Sequence, residues 1–195
     1  MEIKHLIVGP LLTNCYLLIS KGEAALIDPG GQTKKIFEEL ERNKAELKYI
    51  ILTHGHWDHT FSVSKIKEKT RARILIHEAE KEFIKPAPYR PAPDSGGGAG
   101  ARFKIDQFLK EGDEIKIGDS VLKVIHTPGH TKGSICFSND NFIFTGDTIF
   151  KDGYGRTDLR GGSQKDLENS LKKLEKILKP GIKIYPGHGE IFDIK

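Results

Sequence analysis

A chain of 195 residues with 37% hydrophobic side chains can bury one substantial core but is too short for two full domains, so residues 1–195 are expected to form a single domain. Its 31 Lys and Arg against 27 Asp and Glu leave a net charge of only +4, which suits at most an anionic small substrate and lacks the concentrated basic face of a nucleic-acid binder. No apolar run approaches the roughly 18 residues of a membrane span, and Met1-Glu2-Ile3-Lys4-His5 does not open a signal peptide, so a cytoplasmic protein without membrane partners is expected.

Along the chain, residues 3–8, 15–19 and 24–27 read as strands, with Lys21-Gly22 as a tight turn and Asp28-Pro29-Gly30-Gly31 as an abrupt stop. The period then changes. Ile36, Phe37, Leu40 and Leu47 lie at helical spacings among charged residues, which predicts an amphipathic helix over 33–44. The apolar run Tyr49-Ile50-Ile51-Leu52 predicts a strand that ends at His54. A helix over 63–69, a short strand over 74–76 and a helix over 78–84 follow. Segment 86–100 holds four prolines and four glycines, which neither a helix interior nor a central strand accepts. It is a long loop, either a plain insertion or a cover for a site, with Tyr89 and Arg90 as its contact residues. Strands are expected again over 114–117, 121–126, 135–138, 142–145 and 182–185, with Gly118-Asp119 and Asn139-Asp140 as hairpin turns. Between the last two of these strands, Leu167, Leu171, Leu174 and Leu178 form one stripe, so 163–178 reads as a helix capped by Ser163 and ended by Pro180-Gly181. Two β-rich halves, each with surface helices, suggest two sheets packed face to face with helices outside. Cys15 and Cys136, on apolar stretches far apart, are expected to be buried free thiols.

The chemistry concentrates in Thr53-His54-Gly55-His56-Trp57-Asp58-His59, which places three imidazoles and a carboxylate within six residues. Imidazole nitrogen and carboxylate oxygen are the donors that zinc and similar metals prefer, and no apolar core needs them at this density. Three later segments repeat one design, an apolar strand followed by a Gly or Pro turn and a ligand: Thr127-Pro128-Gly129-His130, Phe144-Thr145-Gly146-Asp147 and Tyr185-Pro186-Gly187-His188. If these strands lie side by side, their tips gather His54, His56, Asp58, His59, His130, Asp147 and His188. Seven donors exceed one tetrahedral site, so the number suits two ions sharing a bridging carboxylate and hydroxide. His5, His77 and His126 fall outside the pattern and are expected to be ordinary core or surface residues. Asp28 either ends its strand or supports the ligand loops.

His54-Gly55-His56-Trp57-Asp58-His59, followed in order by His130, Asp147 and His188, closely resembles the metallo-β-lactamase fold superfamily, and with Asp28-Pro29-Gly30 the likeness spans most of the chain. The resemblance implies an α+β fold, a four-layer αββα sandwich. It also implies one metal on His54, His56 and His130, a second on Asp58, His59 and His188, and Asp147 between them. Zinc is the first expectation, with iron or manganese accepting the same donors. Thr127-Pro128-Gly129-His130-Thr131-Lys132-Gly133-Ser134 and Gly146-Asp147-Thr148-Ile149-Phe150 look most like glyoxalase II and its short relatives. That likeness implies a thioester hydrolase cleaving S-(2-hydroxyacyl)glutathione or a related small-molecule thioester, with Asp58 orienting the attacking hydroxide and Arg156 holding a substrate carboxylate. Persulfide dioxygenases, with a single iron, resemble the cluster and Gly155-Arg156-Thr157-Asp158 as well, and form the alternative. A true β-lactamase is not expected, because Asp58-His59 looks like the second-site pair of the glyoxalase branch. The oligomeric state is left open.

Overall fold

The computed structural model describes residues 1–84 and 103–195; segment 86–100, with Tyr89 and Arg90, lies outside the described residues. Strands β1 (Glu2–Val8), β2 (Thr13–Ser20) and β3 (Glu23–Ile27) form an antiparallel meander. Helix α1 (Thr33–Arg42) then crosses back, so β4 (Glu46–Ile51) pairs parallel to β3. Short α2 (Trp57–Thr60) and α3 (Val63–Thr70) lead to β5 (Arg73–His77), again parallel. A 3-10 turn at Glu78–Glu80 and α4 (Lys81–Ile84) follow, and β6 (Gln107–Leu109) closes the edge. The second sheet runs through β7 (Glu114–Ile117), β8 (Ser120–His126), β9 (Ile135–Ser138) and β10 (Phe142–Gly146) as hairpins. Helix α5 (Gln164–Glu175) carries the chain over to β11 (Lys183–Pro186), parallel to β10, and β12 (Phe192–Asp193) adds the last edge. Among the described residues, no helix is long and apolar enough to cross a membrane.

Strand alternation produces the four layers. On β2, Tyr16 and Leu18 face the second sheet, whose Ile117, Leu122, Val124, Phe137 and Phe144 complete the central core. Cys15 and Leu17 point the other way, toward Ile36 and Leu40 of α1 and Val63 and Ile66 of α3. Outside the second sheet, Ile125, Cys136, Ile143 and Ile184 pack beneath Leu174 of α5. Helices, sheet, sheet and helix thus stack as the expected αββα sandwich. Both cysteines are buried and free.

The main departures occur at element ends. Strand β4 stops at Ile51, short of His54, because the Asp28 carboxylate takes the Thr53 amide hydrogen (2.8 Å) and turns the chain out of the ladder. Helix α5 begins where Ser163 accepts a hydrogen bond from the Asp166 amide (3.3 Å) and ends at Glu175, one turn before Leu178. The expected helix over 78–84 divides into the 3-10 turn and α4. Strands β6 and β12 are short edge pieces that periodicity does not reveal.

One seam joins the sheets at the strand exits. Asn14 of β2 donates its amide hydrogen to the Gly187 carbonyl (2.7 Å) and its side-chain NH2 to the carbonyls of Pro186 and Gly189 (both 3.0 Å). The Tyr16 hydroxyl donates to the Pro186 carbonyl (2.6 Å), and Thr13 bridges to His188. The end of β11 is therefore held by a strand of the opposite sheet.

Candidate metal centre

All seven predicted ligands lie just past strand exits on one edge of the sandwich: His54, His56, Asp58 and His59 after β4, His130 after β8, Asp147 after β10 and His188 after β11. Their donor atoms form three overlapping trios, each within 4.8 Å: His54, His56 and His130; His54, His59 and Asp147; and Asp58, His59 and His188. His130 Nε2 approaches His56 Nδ1 to 2.8 Å, and His59 Nε2 approaches His188 Nε2 to 3.3 Å. Asp58 Oδ2 lies 3.4 Å from His59 Nε2 and 3.3 Å from His188 Nε2. Asp147 stands between the groups, with Oδ1 3.4 Å from His59 Nε2 and Oδ2 3.5 and 3.6 Å from the Nε2 atoms of His130 and His188. Six of the seven are buried, and His188 is half-buried at the mouth.

Hydrogen bonds on the far side of four of the five rings select the tautomer. Asp28, at a left-handed φ of 50° that a short polar side chain tolerates, accepts from the Thr53 hydroxyl (2.6 Å) and from His59 Nδ1 (2.9 Å). With its own hydrogen given to Asp28, Thr53 Oγ1 accepts from His54 Nδ1 (3.0 Å). His130 Nδ1 donates to the Arg156 carbonyl (2.7 Å), and His188 Nδ1 donates to the Leu11 carbonyl (3.1 Å). Four imidazoles therefore turn an Nε2 lone pair inward, as metal ligation requires. His54 Nε2 is buried with no hydrogen-bond partner among the described residues, a cost that a cation at that point removes. On donor type, convergence and tautomer, the site fits divalent metal ions.

Electrostatics divide the cluster into two parts. Burial and the neighbouring imidazoles push His54 well below the ordinary histidine range and bring His56 to about 4, and burial lowers His130, so the three-histidine group stays neutral. Burial also opposes charge on His59, yet Asp147, Asp28 and Asp58 outweigh it and hold that imidazole above its usual value. His188 is likewise raised, since Asp58 and Asp147 overcome burial. Asp58 is held below the usual carboxylate range because His188 and His59 overcome its desolvation.

Close packing fixes the loops. A Cβ on Gly30 would sit 1.6 Å from the Asp58 carbonyl oxygen, and one on Gly187 would sit 2.2 Å from Asp147 Oδ1. Sequence reasoning missed Glu80. Fully buried beyond β5, it accepts from the Gly55 amide (2.8 Å) through Oε2, and from the Thr131 hydroxyl and Gly133 amide (both 2.7 Å) through Oε1. It thereby ties the His54–His56 loop to the turn after His130. Burial raises its carboxyl above the usual range despite those three donors. Its one sequence signal is a carboxylate just past a strand exit on the ligand edge. Thr13, whose hydroxyl donates to Asp58 Oδ2 (3.3 Å), gave no signal at all.

The two predicted substrate residues fare differently. Tyr89 lies outside the described residues. Arg156 lines the cleft over the ligands, but its exposed guanidinium is engaged by Asp158 through two 2.7 Å hydrogen bonds. Asp28 has the supporting role, not merely that of a strand end. The three remaining histidines stay outside the centre: His77 and His126 stack on each other at 4.0 Å, and His5 bonds Asn14 (2.7 Å).

A family model described as the metallo-beta-lactamase superfamily matches residues 8–188, which include every predicted ligand. A probable metallo-hydrolase of Methanocaldococcus jannaschii is 39% identical, the match covering 93% of this chain and 89% of that protein. A probable metallo-hydrolase of Bacillus subtilis is 30% identical over 100% and 93%. A probable polyketide biosynthesis zinc-dependent hydrolase of Bacillus velezensis is 30% identical over 89% and 72%. Among solved structures, the BLEG-1 B3 metallo-beta-lactamase superposes with a TM-score of 0.89 at 30% identity, covering 98% of this chain and 94% of that one. TTHA1623 in a di-iron-bound form gives 0.84 at 29% over 97% and 94%. ETHE1 from Myxococcus xanthus gives 0.81 at 26% over 99% and 80%.

Proposed function

The chain belongs to the metallo-beta-lactamase superfamily, and from that premise we propose that it is a metal-dependent hydrolase of thioesters, of glyoxalase II type, acting on S-(2-hydroxyacyl)glutathione or a related small-molecule thioester. The observation that carries this reading is the pair of ligand trios joined through Asp147 at the floor of an open cleft of about 590 Å³. We assign His54, His56 and His130 to one divalent ion and Asp58, His59 and His188 to another, most simply zinc, with Asp147 shared. Ions in those positions would supply an activated water and polarise the substrate carbonyl.

The chain's own residues supply the rest. Asp28, Thr53 and the carbonyls of Arg156 and Leu11 keep the ring lone pairs aimed inward, so little reorganisation is left for the reaction. Asp58, ionised and steadied by the Thr13 hydroxyl, orients the attacking water. No serine or cysteine nucleophile is used; both cysteines are buried. Arg156, at the edge of the cleft, meets an anionic group on the substrate by releasing Asp158, a solvent-exposed ion pair that is easily parted.

Two competing reactions belong in the same test. A mononuclear iron dioxygenase would hold its single ion on His54 or His56, His130 and Asp147, and the likeness to a B3 metallo-beta-lactamase brings lactams into consideration despite the Asp58-His59 pair. Protein reconstituted separately with zinc, iron and manganese is given S-lactoylglutathione, other thioesters, a glutathione persulfide and a β-lactam. Thiol release from thioesters, fastest with two ions per chain, is expected. Oxygen consumption with the persulfide, or lactam opening without thioester cleavage, would overturn the proposal.

A further inference from the structure

Apart from its ligands, the cleft wall consists of Leu11, Trp57, Phe150 and Leu159, with Gly155 and Arg156 at one edge. These four apolar side chains come from three segments, the β1–β2 turn, the start of α2 and the β10–α5 connection. Trp57 stands between ligands His56 and Asp58, and Phe150 follows Asp147 by three residues with its ring edge-on to His188 at 6.1 Å. Phe150 is pinned by its backbone amide, which donates a hydrogen bond to the Gly153 carbonyl (2.8 Å).

The turn between β1 and β2 is the least expected part. Leu11 and Leu12 are 52% and 65% exposed, and Leu12 adopts a φ of 55°, a left-handed conformation that strains a branched side chain. Neither exposure nor strain serves the core. The turn is nevertheless held in register, because the Leu11 carbonyl receives His188 Nδ1. The same residue thus orients a ligand and presents an isobutyl group to the cleft.

We infer that this wall receives the acyl arm of the substrate, so that the preferred thioesters carry an unsubstituted aliphatic chain of about four to eight carbons rather than a small hydroxyacyl group. The thiol arm then leads toward Arg156, whose charge suits an anionic thiol. This inference rests on the thioesterase reading. In the reaction, a water oxygen bonds to the acyl carbon, the carbon–sulfur bond breaks with its electron pair on sulfur, and one proton of water passes to the thiolate. The products are a fatty carboxylate, a thiol and the remaining proton.

The test uses metal-loaded protein and acetyl, butanoyl, hexanoyl and octanoyl thioesters of one small thiol, with released thiol as the readout. Each methylene buried against the wall is expected to raise kcat/KM about fourfold, so hexanoyl exceeds butanoyl by about 15-fold. Lengthening the thiol side with acetyl held constant is expected to change little. Leu11→Ala, at an exposed site and with the carbonyl that meets His188 left in place, is expected to flatten the chain-length slope, mainly through KM. Trp57 is the chain's single tryptophan, so its emission reports binding directly: octanoate is expected to shift it at far lower concentration than butanoate. A flat acyl series, a dependence confined to the thiol side, or an unchanged slope in Leu11→Ala would overturn the inference. A chain-length-dependent Trp57 response without cleavage of any thioester would sink the thioesterase reading and leave an apolar-chain site standing. Absence of both would sink the two together.

Discussion

Replacing Asp28 by Asn keeps the volume of a fully buried side chain and changes only its hydrogen-bonding sense. The carboxylate accepts three times, from the Thr53 amide, the Thr53 hydroxyl and His59 Nδ1. An amide has two placements, and each puts an NH2 against a donor. With its oxygen on the Thr53 amide, its nitrogen faces His59 Nδ1, and His59 relieves the clash by moving its proton to Nε2, the atom that must ligate. With its oxygen on the other pair, the nitrogen faces the backbone N–H of Thr53, which cannot adapt. A buried donor left without an acceptor costs about 1–3 kcal/mol, or roughly 5- to 150-fold in an equilibrium constant. In the first placement this appears as weaker binding at the Asp58, His59 and His188 group, about 10- to 100-fold as for other partners of metal ligands. In the second it appears as lost stability of the metal-free protein. Chelator-competition titrations give the first quantity and urea unfolding of apo-protein the second. Asp28→Asn matching wild type within twofold in affinity and about 0.5 kcal/mol in stability would refute the tautomer argument.

Three further outcomes are expected. Glu80→Gln, which must turn an NH2 toward either Gly55 or Gly133, is expected to lose about 1–3 kcal/mol of apo stability and to weaken metal binding at the three-histidine group more than at the other; equal affinities at both groups would contradict its role as a tie. Gly187→Ala drives a methyl into Asp147 Oδ1 and is expected to cost at least about tenfold in metal affinity with little change in secondary structure, read by calorimetric titration and circular dichroism. His77, lowered to about 4 by burial and the stacked His126 against the attraction of Glu78, Glu111 and Asp113, binds its proton more weakly folded than unfolded. Its stabilising contribution is therefore whole above about pH 6.5 and is lost as pH falls toward 4, at no more than about 1.4 kcal/mol per pH unit. His77→Phe is expected to flatten the stability profile in that window, and unfolding curves that keep the wild-type slope would rule this out.

The convergence of the seven donors was legible in the sequence because each is announced locally, by an apolar strand, a Gly or Pro and then a donor. Nothing local announces Thr13, and Glu80 has only the strand exit that it shares with Glu78. Their roles depend on which strands become neighbours, a property of the whole sheet order, and Glu80 differs from the surface residue Glu78 only in where β5 delivers it. Strand β6, three residues long, and β12, two long, carry too few alternations to read. Arg156 shows the limit of reading side chains by type. Its charge suggested a substrate contact, whereas the structure also uses its backbone carbonyl to hold His130. The end of β4 was misplaced for a similar reason, since a carboxylate 25 positions upstream takes the amide that would have continued the ladder.

The seam from Thr13, Asn14 and Tyr16 to the chain around His188 has a kinetic corollary. Donors separated by 129 positions, as His59 and His188 are, can meet only after the amino-terminal sheet has docked on the carboxy-terminal one, and such distant closures come late because the loop entropy is lost before any contact repays it. A cobalt-loaded sample diluted from denaturant is therefore expected to recover its visible absorption after its far-ultraviolet circular dichroism, so that the colour of the ion acts as a clock for the final mating of the two halves.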